Sequence, residues 1–541
     1  VCGIALIVGE TRDHTSDLAV FGQMMETIAA RGTVSESVSR PGLLAGTRRL
    51  PIVDRERAVQ PWIFDDGRWL LCYNGEIYNY RPLLAELGAL GRTFRSESDT
   101  EVIAEAFSEW GEHAVDRLRG EYAFAAVEPA SGRTYLARDA IGVKPLYFAR
   151  ANDQWHVASE IKALAGLGAT VFEVEPGHHG WLTPDGKSDL TPHVDLARLG
   201  HSAPPIVDVH EATAAVRAAI SDAISVRIDS DLTIGVILSG GLDSSIVLKH
   251  VVDQHPDCVA FTIGTAQSED LAYARRLTTE LGVRHEVIEI KPRSIRYPQI
   301  REAIEASELT EYGDIINAAV SIPLFRRIHE CGIKIAIGGD GSDELFGGYP
   351  MYANIDSEQQ HRLFLHKIAN LGRTELQRVD RTSMSNGVEM RVPFLDPAVV
   401  ELAMRIPGAF KVRDGVEKWI VRQAFRDDLP DYVISRPKHG LSYSTGLHDR
   451  ARLFKPLFPR VYRSFGYDLH APLRRDFDTV LSSAGYDLDR AATREHALRD
   501  YSPVERAKDF AGAVRWNVQP PLERLLSGAR NTLTGSRPDR A

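Results

Sequence analysis

Cysteine is scarce: Cys2, Cys72, Cys258 and Cys331 are the only four in 541 residues. Thiols this sparse and this far apart exclude a disulfide framework and a zinc knuckle, so each is read on its own. Long apolar runs are missing too, since none approaches the roughly 18–20 residues that a membrane-spanning helix needs. No basic segment or cleavage pattern stands ahead of the short apolar stretch in "VCGIALIVGE". Neither a membrane partner nor a secretory leader is therefore expected, and the location predicted is cytoplasmic. Basic charge is not in excess either, with 64 Lys plus Arg against 74 Asp plus Glu and a net charge of −10. That balance argues against nucleic acid as the main partner and leaves room only for a local basic site, such as one for a phosphate ligand. Internal repeats are absent. What is present is ordinary, 43% hydrophobic and 26% charged, the composition of a chain able to bury sizeable cores. Its length suits about three or four units of roughly 150 residues, or two large ones.

Two rhythms divide the chain. Up to residue ~190, short strand-like runs ("CGIALIVG", "RWLLCYNGEIYNY", "YAFAAVEPASGRTYLARD", "GHHGWLTPDGK") alternate with helical stretches around 17–31, 80–90 and 100–118. The last of these carries Val102, Ile103, Ala106, Phe107 and Trp110 at helical spacing. This mixture predicts a strand-rich α+β unit. Residues 196–210, "LARLGHSAPPIVDVH", carry the Gly, Ser and Pro punctuation of a linker. Beyond it a helix at about 211–227, the apolar run "LTIGVIL", a helix from Ser244, "CVAFTIG", a helix "DLAYARRLTTELG", "HEVIEI" and later "IKIAI" follow in turn. Continuous apolar strands separated by helices predict a parallel sheet covered on both faces. From about 353 the chain reads largely helical. The expected division is residues 1–200, residues 211–525 and a polar tail, 526–541, without fixed structure.

Cys2 lies one residue from the start, where a thiol can use its own α-amino group, with a reference pKa of about 7.7–8.0, as proton acceptor. That chemistry demands a free amine, so Val1 is expected to be an alternative start residue that is removed. By residue type alone, Cys2 would be a small buried apolar residue on an edge strand. "YNGEIYNY" places Asn74 and Gly75 in a strand-to-turn segment, where a side-chain amide and a backbone N–H can stabilise a tetrahedral oxyanion. Arg49 in "TRRLPIVD" can receive a carboxylate and Asp99 in "ESDTEVI" an α-ammonium, so an amino acid would be held at both charged ends. The plainer readings are a surface charge for Arg49 and a helix cap for Asp99.

"LTIGVILSGGLDSSIVLKHVV" is a strand, a Gly-rich turn and a helix. Ser239, Gly240 and Gly241 allow backbone N–H groups to close around phosphate oxygens, and Ser244 and Ser245 add hydroxyls at the helix start. Asp243 makes sense there if a Mg²⁺ lies between it and the phosphates. The Gly-Lys-Ser/Thr ending of a Walker A loop is absent. "GGDGSDELFGGY" then brings Asp340, Asp343 and Glu344 within five positions, a crowding that a cation relieves, and Asp343 is the expected second Mg²⁺ ligand. Lys438 in "SRPKHGLSYSTG" is available for phosphate, or is a solvated surface lysine.

Cys2 with "GTRRLPIVD", "NGEIYN", "SDTEVI", "RDAIGVKPLYF" and "SEIKAL" resembles the class II glutamine amidotransferase domain, an α+β N-terminal nucleophile sandwich that hydrolyses glutamine. "SGGLDSS", "GGDGSDELFGGY", "MSNGVEMRVPFLD", "EKWIVRQAF" and "RPKHG" resemble the synthetase domain of glutamine-hydrolysing asparagine synthetase, an α/β doubly wound parallel-sheet (PP-loop) fold with a helical C-terminal part. The resemblance implies that ATP and a carboxylate, aspartate by default, give an acyl adenylate and pyrophosphate, and that ammonia released at Cys2 displaces AMP. It implies glutamine contacts from Arg49, Asn74, Gly75, Glu76 and Asp99. It places ATP on Leu238 to Ser245 and on Ile263, Gly338 and Gly339, Mg²⁺ on Asp243 and Asp343, and pyrophosphate on Lys438. It also gives Asp340 the deprotonation of incoming ammonium or the positioning of the nucleophile. A homodimer is left open.

The sequence departs from that pattern in three places. Pro51 stands where Ser is usual and Gly338 replaces a Ser. Asn317, Ala318 and Ala319 lie where some relatives carry an Arg, whose absence would weaken recognition of an amino acid carboxylate. The departures at Pro51 and at residues 317–319 keep open a non-aspartate carboxylate or a glutamine-like amine donor. Retention of Val1 would leave an adenylating ligase with an inactive glutaminase, and loss of both chemistries would leave a silent scaffold.

Overall fold

Strand alternation sets the first layers. The computed structural model describes residues 2–438, apart from 11–12, 197–203, 292–294, 310–311, 350–351 and 353–356. The tail expected at 526–541 and the end of the second unit, 439–525, lie outside the described residues. One antiparallel sheet runs, in spatial order, Val171–Glu173 (β10), Tyr147–Ala151 (β8), Gln154–Ala158 (β9), Cys2–Val8 (β1), Leu43–Arg49 (β3) and Val34–Arg40 (β2). The other runs Ser188–Pro192 (β12), His178–Leu182 (β11), Arg133–Arg138 (β7), Gly120–Glu128 (β6), Trp69–Ile77 (β5) and Trp62–Phe64 (β4). Ile4, Leu6 and Val8 of β1 and Leu70 and Cys72 of β5 share one buried cluster between the sheets. With a side-chain period of two, Cys2 and Asn74 continue those inward rows to the end of the sandwich. His14–Thr27 (α1) covers the outer face of the first sheet, and Tyr80–Ala89 (α2) and Asp99–Trp110 (α3) that of the second.

The second unit opens with Val209–Arg227 (α4). Its five-stranded sheet is parallel throughout, in the order Arg284–Glu289 (β15), Val259–Gly264 (β14), Ile234–Ile237 (β13), Ile335–Ile337 (β16) and Glu389–Arg391 (β17). Between strands lie Leu242–Gln254 (α5), Glu269–Leu281 (α6), Tyr297–Ser307 (α7), Tyr312–Glu330 (α8), the short Ser342–Phe346 (α9), Ser357–Asn370 (α10) and Glu375–Met384 (α11). The sheet turns back on itself between β13 and β16, and in such sheets ligands sit at the carboxyl ends of the strands on either side of that reversal. Both Gly-rich loops leave from there. Two expectations are corrected. The helix after the first loop begins at Leu242, not Ser244, because Gly241 already has the extended backbone of an N-cap. The segment read as largely helical contributes a fifth strand, β17, too short for a periodic signal.

Buried ion pairs join the two units. Arg31 donates to Glu160 at 2.8 Å and to Asp380 of α11 at 2.8 and 3.0 Å. Arg227 bonds Glu121 at 2.9 Å and Arg391 bonds Glu76 at 3.1 Å across the same seam, while Glu308, paired with Arg381 at 3.0 Å inside the second unit, accepts from Lys162 N–H of the first at 2.7 Å. Burial alone would raise the Glu160 carboxyl, but Lys162, Arg31 and Arg381 outweigh it and hold the group at about 2, against 4.5 for a free carboxyl. The folded value lies below the unfolded one, so the stabilisation is complete above about pH 4.5 and is lost as pH falls toward 2. Urea midpoints are expected to drop through that window. Glu160→Gln is expected to be the less stable protein near neutrality and to decline less steeply in acid; an unchanged slope would exclude this seam as the source.

Candidate functional site: two sites on one chain

At the first site Cys2 and Arg49 are directly paired across β1 and β3. The Cys2 N–H donates to Asn74 Oδ1 at 3.0 Å, while Asn74 Nδ2 is buried and has no hydrogen-bond partner. A side-chain donor thus remains open beside the thiol. Gly75 follows with φ of 153°, and a Cβ there would lie 2.2 Å from the Glu121 carbonyl oxygen, so β5 and β6 approach closely only because the residue is glycine. Burial pushes the Cys2 thiol up, with Arg49 acting against it. Arg49 is held by Glu36 at 3.0 and 3.2 Å, and the same Glu36 accepts from Gln60 N–H at 3.1 Å.

Asp99 is the first residue of α3 and not its cap, a role taken by Ser98, whose side chain accepts from Glu101 N–H. One Asp99 oxygen accepts from Tyr73 hydroxyl at 2.7 Å and from Ile77 N–H at 3.2 Å. Burial pushes its carboxyl up. Glu76 is tied to Arg391 of β17 and is also pushed up by burial. Sequence reasoning missed Gln60. Its Oε1 accepts from Tyr73 N–H at 2.8 Å and its Nε2 lies 3.7 Å from Cys2 Sγ. A lone glutamine in "AVQPW" carries no signal of that contact.

At the second site the loop after β13 organises itself. Ser239 and Ser244 hydroxyls lie 3.1 Å apart and Gly241 N–H donates to Ser239 Oγ at 3.3 Å. Gly240 has φ of 68°, and a Cβ would meet Ala274 N at 2.8 Å, where α6 closes over the turn. Leu238, Ser239, Asp243, Ser244, Ile263, Gly339, Asp340, Asp343 and Lys438 all line one open cleft of about 1480 Å³. Gly241 lines an adjoining recess. Ser245, expected at the nucleotide, is fully buried and lines neither space. Gly338 lines neither as well, and a Cβ on it would meet Met390 Cε at 2.4 Å.

The two carboxylates expected to share a cation converge on one point. Lys418 Nζ sits 2.5 Å from Asp243 Oδ2 and 2.6 Å from Asp343 Oδ1, and Lys438 Nζ pairs with the other Asp343 oxygen. Burial would raise the Asp343 carboxyl, but the two lysines outweigh it and hold it at about 2. Glu344, by contrast, is pushed up to about 8 by burial and by the neighbouring Glu375 and Asp343 charges. Among the described residues no three His, Cys, Asp or Glu side chains form a metal cage. A hard cation at Asp243 and Asp343 would therefore complete its shell with phosphate oxygens and water, the manner in which Mg²⁺ is usually held. Lys418 was not singled out from the sequence, although "EKW" contains it; nothing in that string shows that its ammonium is buried between two loops.

Of residues 317–319, Ala318 and Ala319 are buried and only Asn317 lines the cleft. A guanidinium absent from that part of α8 reaches the cleft from α11: Arg378 bonds Asp340 at 3.1 Å and Ser321 Oγ at 3.3 Å. Pro51 accepts through its carbonyl from Lys334 at 3.2 Å, tying the donor-side loop to the second unit.

Comparison with known proteins decides the relationship. The glutamine amidotransferase domain family matches residues 1–179 and the asparagine synthase family matches 215–360 and 355–464. Glutamine-hydrolysing asparagine synthetase 3 of Arabidopsis thaliana is 32% identical over 471 residues, covering 79% of this chain and 77% of that protein. Asparagine synthetase B of Escherichia coli is 33% identical over 423 residues, 74% of each chain. The Sandersonia aurantiaca enzyme is 31% identical over 484 residues, covering 82% and 87%.

This chain belongs to the glutamine-hydrolysing asparagine synthetase family.

As a member of the asparagine synthetase family it is an ATP-dependent, glutamine-hydrolysing amide synthetase, a carbon–nitrogen ligase. The N-terminal sandwich is its amidotransferase fold and the parallel sheet its synthetase fold. No helix among the described residues is long and apolar enough to cross a membrane. Cys72 and Cys258 are core residues and all four cysteines are free of disulfides, and Cys2 is the thiol beside Asn74 and Gln60.

Proposed function

We propose that residues 1–200 release ammonia from glutamine at Cys2 and that residues 211–525 amidate an adenylated carboxylate, aspartate by default. With Val1 removed, the Cys2 amine takes the thiol proton as Sγ attacks the glutamine carboxamide, then passes it to the departing ammonia. Asn74 Nδ2 and the Gly75 N–H stabilise the oxyanion. Arg49 takes the glutamine carboxylate and Asp99 its ammonium. At the second site the loop from Leu238 to Ser244 cradles the ATP phosphates and Lys438 takes the departing pyrophosphate. Asp243 and Asp343 would hold a Mg²⁺, whose chemistry there is to neutralise charge on the triphosphate. Asp340 deprotonates ammonium where that is the nitrogen source, or positions the ammonia that displaces AMP.

Activation has a plain purpose. Carboxylate oxygen is a very poor leaving group and AMP a better one, while two sites on one chain keep ammonia from being protonated in bulk water. The observation that carries the reading is the convergence of two carboxylates, each following one of the neighbouring strands of the reversal, within 2.6 Å of the Lys418 ammonium. The test is pyrophosphate release from Mg·ATP across aspartate and other small carboxylates, with glutamine and then ammonium as nitrogen source. Release dependent on aspartate and coupled to amide formation is expected; no release with any carboxylate would overturn the reading.

A further inference from the structure

Gln60 is buried and reaches every part of the first site. Its Oε1 accepts at 2.8 Å from the N–H of Tyr73, the residue before Asn74 on β5. A backbone N–H can only donate, so this bond fixes which way round the amide lies. Its Nε2 lies 3.7 Å from Cys2 Sγ, within reach of a hydrogen bond to sulfur, and 3.3 Å from the hydroxyl of Thr100, the residue after Asp99. The two N–H groups of one amide suffice for both. The Gln60 backbone is held as well: its N–H donates at 3.1 Å to Glu36, the carboxylate that holds Arg49, and its carbonyl accepts from Thr47 of β3 at 3.2 Å. An amide anchored at all these points cannot swing away from the sulfur without breaking several buried bonds. Burial pushes the Cys2 thiol up, and a hydrogen bond from the Leu50 backbone acts against it. The sulfur therefore sits among donors that favour its charged form.

We propose that Gln60 is a further catalytic residue of the first site, its Nε2 donating to the Cys2 sulfur whenever that atom carries negative charge. This rests on the role proposed above for Cys2 and deepens it. Sulfur is charged twice in the cycle. In the attack the thiol proton passes to the Cys2 amine, the sulfur electron pair bonds to the glutamine carboxamide carbon, and the C=O pair moves to oxygen. The departing nitrogen takes the proton from the amine and leaves as ammonia. Water then adds to the thioester carbon, the C–S bond breaks with its pair returning to sulfur, and the proton left over from that water follows it. Asn74 Nδ2 and Gly75 N–H serve the substrate oxygen in both halves; Gln60 serves the other end of the same bond. A hydrogen bond to a charged acceptor is about twice as strong as one to a neutral acceptor, so the amide favours the charged sulfur over the thiol.

The test compares Gln60→Leu and Gln60→Glu with the wild type by glutaminase kinetics and by the pH dependence of iodoacetamide alkylation, mapped to Cys2 by mass spectrometry. Besides the amine, the charged and titratable groups facing Cys2 are Arg49 of β3, Asp99 of α3, Cys72 of β5 and Arg31, whose Nε donates to the Cys2 carbonyl. All of them remain in both variants, so a changed profile reports the amide. Gln60→Leu is expected to lower glutaminase by about 10- to 100-fold, in kcat more than in KM, and to move the alkylation profile up by about one pH unit or more. Gln60→Glu keeps the shape and an acceptor for Tyr73 N–H but sets a carboxylate against the sulfur, so its loss is expected to be at least as large. A residue that merely braces β5 would be replaced well by glutamate. Ammonium-dependent pyrophosphate release reports that each variant is folded. Full activity in Gln60→Glu, or an alkylation profile unmoved in Gln60→Leu, overturns the proposal. Glutamine hydrolysis that survives Cys2→Ala would instead remove the reading on which it rests.

Discussion

Cys2→Ala is expected to abolish glutamine-dependent amide formation, by more than about 1000-fold, and to leave ammonium-dependent formation within about twofold of the wild type. The size follows from chemistry with no substitute in the structure. Among the described residues Cys2 is the thiol next to Asn74, whose Nδ2 is open, and the other buried cysteines lie in apolar cores. The selectivity follows from separation, since Cys2 belongs to the antiparallel sandwich and the nucleotide loops to the parallel sheet. Loss of the sulfur removes the 3.7 Å contact with Gln60 and leaves the strand pairing to Arg49 intact. Activity assays with the two nitrogen sources side by side decide it; equal loss with both would contradict the division of labour.

Asp243→Asn is expected to remove adenylation with either nitrogen source, by about 100-fold or more, while acceptor-free glutamine hydrolysis persists. Asp243 accepts from Ser342 Oγ at 2.7 Å through one oxygen and pairs with Lys418 through the other. It is therefore the residue that locks the loop after β13 to the loop after β16. An amide in its place keeps one acceptor oxygen but loses the charge that balances Lys418, and would offer a divalent cation a far weaker ligand. Pyrophosphate release is the readout, and retention of full release would exclude Asp243 from the nucleotide site.

Much of this was legible in the sequence because it is carried by local pattern. The alternation in β1 and β5, the glycines of the two loops and the apolar runs of β13 and β16 are all contiguous, and each reports its element without help from distant residues. What stayed hidden is made by long-range pairing. Arg31 meets Asp380 across 349 positions, and Lys418 meets Asp243 across 175. Arg378 enters the cleft only because α11 packs beside α8, a pairing that α8 read alone does not reveal. The plainer reading of Asp99 as a helix cap fails because Ser98, one residue away, performs that role.

If the thiol of Cys2 works with its own amine as base, intact mass and N-terminal sequencing of the active enzyme, beside its glutaminase rate, will show it. Cysteine is expected as the first residue of the glutamine-consuming protein, with loss of glutaminase in a form that keeps Val1. A protein that retains Val1 and hydrolyses glutamine at the full rate would contradict it.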